Sequence, residues 1–311
     1  MTFTALLIKE LRLRLRRERF VWLIIIYLLI IGLLGFGFLQ RANVFSGGYQ
    51  GYLLSQIGTQ LYALLSFIQL FLIVLIAPAF TATAINGEKE RQTFDLLLCS
   101  KLSAFSLLAG KLIAGLVNVL ILIAASIPLF SLVFFFGGVS PSQVLNTLVI
   151  FIMTAIVAGT FSLFCSTLLH RPTSSTVVAY TFCAFWLFAY PVVSILTLGS
   201  SVPRTSRWYI WIQWLNAWNP ISALNSTVSS GQGGVGNFYL FRLHLAPWVA
   251  FSLVSLVVAI MLFLLSIVFV KPDPVGRFFH GFETWARNLS NLSANPSCQR
   301  HCMVRQDDLK G

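Results

Sequence analysis

Apolar positions in this chain fall in long unbroken blocks rather than in short alternating runs. Six blocks stand out, at about residues 20–39, 56–80, 107–136, 144–169, 175–198 and 247–270. The hydrocarbon layer of a bilayer is about 30 Å thick and a helix rises about 1.5 Å per residue, so about 20 apolar residues span it. Each block therefore predicts a transmembrane helix. Pro78 sits near the end of the second block, and Pro191 predicts a kink in the fifth. The run Gly137-Gly138-Val139-Ser140-Pro141 predicts a tight turn between the third and fourth, and His170-Arg171-Pro172 a short connector to the fifth. Residues 199–246 read as a long polar-aromatic loop, and residues 271–311 as a tail.

Residues 1–19 are patterned differently. Phe3, Leu7, Leu11 and Leu15 recur every four positions while Lys9, Arg12, Arg16 and Arg19 cluster opposite. This predicts a helix lying in the membrane interface, apolar side down and basic side toward anionic headgroups. The Leu-Arg alternation of residues 11–16 also suits a strand, but a strand edge beside the bilayer needs a pairing partner. A signal peptide has a shorter apolar run and a small-residue cleavage site; the first block fits an anchor.

Composition and charge sharpen the picture. Hydrophobic residues make up 57% of the 311, charged residues only 10%, and the mean hydropathy is +0.84. A soluble domain carries about 25% charged residues. The net charge of +12 would point to nucleic acid in a soluble protein; here it fits cytoplasmic loop bias and anionic lipid, with no nucleic acid expected. With the amino terminus inside, 17 of the 21 Lys and Arg fall inside, and Arg41, Arg204, Arg207 and Arg242 outside. The positive-inside rule thus predicts two cytoplasmic termini in a multi-pass protein of the cell (inner) membrane. The five cysteines fall in no outside loop, so no disulfide framework is indicated.

No Asp or Glu lies between Asp95 and Asp273, and the first two blocks contain none. Carriers driven by protons or sodium usually keep carboxylates within the bilayer. The chain also has no Gly-x4-Gly-Lys-Ser/Thr phosphate loop and no His-Glu-x-x-His protease motif. An ATP-driven process would need its ATPase on another chain, so the chain itself is not expected to be an enzyme. The charged stretch between the second and third blocks, around Glu88-Lys89-Glu90-Arg91, must leave the membrane. Burying one such charge at mid-bilayer costs about 2.5–3.5 kcal/mol. Phe94, Leu97, Leu98 and Leu102 then form a helical stripe able to lie on protein or on the interface.

The pattern Gly-Glu-x-Glu-Arg-x-Thr-x-Asp-x-Leu-Leu after the second block is similar to that of bacterial ABC-transporter permeases of the ABC-two membrane class. Gly87, Glu88, Glu90, Arg91, Thr93 and Asp95 carry it. Gln92 stands where Gly is common, and Lys101 where Pro is common. The basic start resembles the family's elbow helix, Gly110-Lys111 its third-span opening, and Asn219-Pro220 a common pair before the last span. The resemblance implies that residues 81–106 form a cytoplasmic coupling segment docking on an ATPase subunit. It further implies a pathway formed with a second permease copy or paralogue, and export or lipid-side extrusion more than import.

Polar positions within the blocks are Gln60, Gln69, Asn118, Thr154 and Ser162. Any of them could line a pathway; interhelical hydrogen bonds are the plainer reading. Trp208, Trp211, Trp214 and Trp218 recur every three to four residues, as in an aromatic belt at the outer interface. In the tail, Cys298-x2-His301-Cys302 lacks the paired fourth ligand of a structural zinc site, so neither metal nor cofactor is expected. The chain thus reads as an all-α integral membrane protein in three parts: an elbow helix at 1–19, a six-helix permease domain at 20–270, and a cytoplasmic tail at 271–311. The rival readings are an energy-independent channel, a membrane scaffold of an envelope or photosynthetic complex, and a secondary carrier.

Overall fold

Six long apolar helices organise the chain, one at each predicted block. They are α1 (Glu18–Arg41), α2 (Gly51–Thr81), α4 (Ala104–Phe136), α5 (Pro141–Leu168), α6 (Pro172–Leu198) and α8 (Pro247–Val270). Among the described residues, two short helices lie between them: α3 (Asn86–Glu90) and α7 (Pro220–Ser230). A computed structural model describes residues 18–41, 51–90, 104–169, 171–198, 214–215, 217–230, 238–240 and 243–270. The predicted elbow helix lies outside these apart from Glu18 and Arg19, which begin α1, and the tail lies outside them altogether. The protein is an all-α integral membrane protein; the one β feature among the described residues is a ribbon of β1 (Phe238–Leu240) against β2 (Leu243–Leu245), antiparallel with Tyr239 opposite His244. Residues from Val268 on are assigned to a separate unit, of which only the end of α8 is described.

Helices α2 and α5 form the centre of the bundle and are the most buried of the six, while α1, α6 and α8 lie outside them. Tyr62, Leu70 and Ile73 of α2 meet Leu122 and Val133 of α4, Phe151 and Ala158 of α5, and Leu187 of α6. A second cluster joins α5, α6, α7 and α8 through Ile150, Val157, Trp186, Ala223, Phe251 and Ala259. On the periphery, Trp22, Phe135, Phe185, Ile195 and Met261 are all more than half exposed. In water so much open apolar surface would drive association; in a bilayer it is the lipid-facing belt.

The turn between α4 and α5 forms where glycine permits it. Gly137 and Gly138 take φ of +76° and +83°, a left-handed conformation that is costly for side chains with a Cβ. Helix α5 then starts on a capping box. Ser140 Oγ accepts from Gln143 N at 3.3 Å, Gln143 Oε1 accepts from Ser140 N at 2.8 Å, and Pro141 occupies the first turn. A Cβ on Gly58 of α2 would collide with the Gly137 carbonyl oxygen, and one on Gly115 of α4 would come within 2.6 Å of Thr81 Cγ2. Thus α2 and α4 run antiparallel in close contact at both of their ends.

Candidate functional site

The charged loop leaves the bundle through a turn whose backbone is held on three sides. Pro78 lies one turn before the end of α2. The chain then turns through Ala82–Ile85, and α3 begins at Asn86. Some of the turn's peptide groups stay in the local ladder: Ala82 N donates to Pro78 O at 2.8 Å, Ala84 N to Thr81 O at 3.2 Å, and Gly87 N to Thr83 O at 3.1 Å. The others, Ala82 O, Ala84 O, Ile85 N and Asn86 N, turn toward neighbouring helices. Ala82, Ile85 and Asn86 are fully enclosed, so those groups need protein partners.

Each neighbouring helix supplies one. Lys111 of α4, only 5% exposed, donates its Nζ to Ala84 O at 2.8 Å. Ser166 of α5 accepts at its Oγ from both Ile85 N (3.1 Å) and Asn86 N (3.2 Å). Ser175 of α6 donates its Oγ to Ala82 O at 2.9 Å. The Ser166 contacts satisfy amides at the start of α3. Ile85, which precedes that helix, has no side-chain oxygen to cap it. The Asn86 side chain is also enclosed, and neither of its amide atoms has a partner.

Of the predicted coupling residues, Gly87, Glu88 and Glu90 fall on α3, with Gly87 half-buried and Glu90 exposed. Arg91, Thr93 and Asp95 lie outside the described residues, as does the stripe from Phe94 to Leu102. Among the candidate pathway positions only Gln60 is exposed. Gln69, Asn118, Thr154 and Ser162 are enclosed in the chain's own packing. Thr154 donates to Ile150 O and Ser162 to Ala158 O, each four residues back on α5. Both amide atoms of Gln69 are unpartnered; the Tyr27 hydroxyl faces Gln69 and Ser126 without reaching hydrogen-bond geometry.

At the opposite end of the bundle, part of the predicted polar-aromatic loop folds back as α7. Asn219 caps it, accepting from Ile221 N at 2.9 Å while donating to Trp186 O, near the middle of α6, at 2.5 Å. Trp186 Nε1 returns a bond to Trp218 O at 2.8 Å. Toward the other end of α7, Gln143 Nε2 donates to Thr227 O at 3.1 Å, and Thr147 bonds both Thr227 and the Tyr62 hydroxyl. Trp214 is exposed and Trp218 half-buried, while Trp208 and Trp211 lie outside the described residues. The signal for α7 was present in the Asn-Pro pair and in Ile221, Leu224 and Val228, one helical stripe.

The order of spans, the held turn and the folded-back helix are the context in which the loop motif has meaning. A family model described as ABC-2 family transporter protein matches residues 4–273. The chain belongs to the ABC-2 transporter family. The match covers all six spans and the charged loop, and stops where the tail begins. No curated protein matches the chain. Family membership makes this chain a membrane permease subunit of an ABC transporter.

Proposed function

We propose that the chain is the half-sized permease of an ATP-driven exporter. Two copies, or one copy and a paralogue, would form the pathway between them, and separate ATPase subunits would drive it from the cytoplasmic face. One observation carries this reading. In a chain with no phosphate loop, the turn that leads into the charged segment is not a loose excursion: its backbone, from Ala82 to Asn86, is held by Lys111, Ser166 and Ser175 from three different helices. A solvated turn needs no such support, whereas a segment that receives force does.

Glu90, exposed on α3, and Arg91 beside it are the docking residues in this reading, with Glu88, Thr93 and Asp95 completing the surface. The positive bias of the segments on that side supports a cytoplasmic location for α3 and both termini in the cell membrane. The basic start supports contact with anionic lipid there. Gln60 is the pathway-lining position of the five candidates, because it alone faces out of its own chain; the enclosed four support packing instead. Co-purification is the test. Glu90→Ala with Arg91→Ala should lower retention of the ATPase by roughly tenfold, as loss of an interface anchor does. Unchanged retention and unchanged ATPase stimulation would refute the coupling role.

A further inference from the structure

We propose that Ser166, Ser175 and Lys111 are positioning residues that make the turn Ala82–Asn86 a three-way joint, delivering movement of α3 to α4, α5 and α6 together. The inference rests on the coupling role proposed above and goes further, by naming the groups through which movement leaves the loop. Three observations carry it.

First, every bond of the joint ends on a backbone atom of the turn: Ala82 O, Ala84 O, Ile85 N and Asn86 N. A displacement of the chain itself is therefore felt, whatever side chain meets the partner. Second, the three side chains belong to three helices and are all at least nine-tenths buried, so water does not compete for the bonds. Third, α3, as described over Asn86–Glu90, begins with amides that are satisfied across the bundle by Ser166. The short helix and α5 thus form one hydrogen-bonded body. Asn86, enclosed beside Ser166 with an unpartnered amide, is the group with most to gain from a second arrangement of the joint.

Hydrogen exchange on the complete permease–ATPase complex in nanodiscs, with and without vanadate-trapped ADP, tests the joint. In the wild type, nucleotide trapping should change protection in residues 82–90 and, in step, in the adjoining ends of α4 (107–115), α5 (163–168) and α6 (172–178). Ser175→Ala should reduce the α6 response by about threefold or more and leave that of α5; Ser166→Ala should do the reverse. A merely structural role would loosen all three alike, and that result overturns the proposal. So does a wild-type complex in which 82–90 responds and the three helices do not, an outcome that needs no variant to fold. If the wild-type chain retains no ATPase, the coupling role and the joint fall together; if it does and the helices stay silent, only the joint falls.

Discussion

The narrowest tolerances in this protein are at glycines, where two backbones meet with no side chain between them. Gly58 lies against the Gly137 carbonyl, and Gly138 against Ser55 O and Thr59 Oγ1, while the Thr59 hydroxyl bonds both Ser55 O and Gly138 O. Gly58→Ala forces α2 away from the turn and should lower stability by about 1–3 kcal/mol, as overpacking does. The thermal midpoint of the purified protein checks this, and an unchanged midpoint would contradict the contact. Gly137-Gly138 was legible in sequence as a turn because a glycine pair has little other use between apolar blocks. Gly58 was not, since its reason lies 79 residues further along the chain. Ser166 and Ser175 were equally silent: each is one small hydroxyl residue at a helix end, and only the folded chain brings them to the same turn.

Among elements, the six spans were the most legible, because block length alone sets them and no partner is needed to recognise one. Helix α7 was hidden by the same logic. Its eleven residues are too few to cross a membrane, and Asn225, Ser226, Thr227, Ser229 and Ser230 give it the look of a solvated loop. Of these, Thr227 is instead met by Gln143 and Thr147, and the preceding cap Asn219 by Trp186, all on helices far away in sequence. Asn219 is the pivot, as both cap and anchor. Asn219→Ala removes the cap, which alone costs about 0.5–2 kcal/mol, together with the buried bond to Trp186. Exchange in residues 217–230 should rise by about tenfold or more while α2 and α5 stay protected. Equal loosening of the whole bundle would show that α7 is not a separable element.

At the level of the whole molecule, polar and apolar surfaces are divided unevenly. Exposed Trp22, Leu29 and Leu33 on α1, Phe185 and Ile195 on α6, and Leu256 and Met261 on α8 face outward, while most polar side chains within the spans are enclosed in the chain's own packing. A permease whose in-span polar positions are mostly spent on its own packing needs a second chain to frame a pathway. Native mass spectrometry of the assembly with its ATPase should therefore find two permease chains, and one chain per assembly would end the dimer reading. The close approaches of α2 and α4 limit how such an assembly can move. Glycine contacts pin the pair near Gly58 at one end and near Gly115 at the other, about 35 Å apart along α2 at helical rise. Sliding one helix past the other by a turn would drive side chains into backbone at both pins. The pair has thus lost its axial degree of freedom, and if force enters at α3 as proposed, it would emerge at the far end as tilt or rotation of α2 and α4 as a single lever.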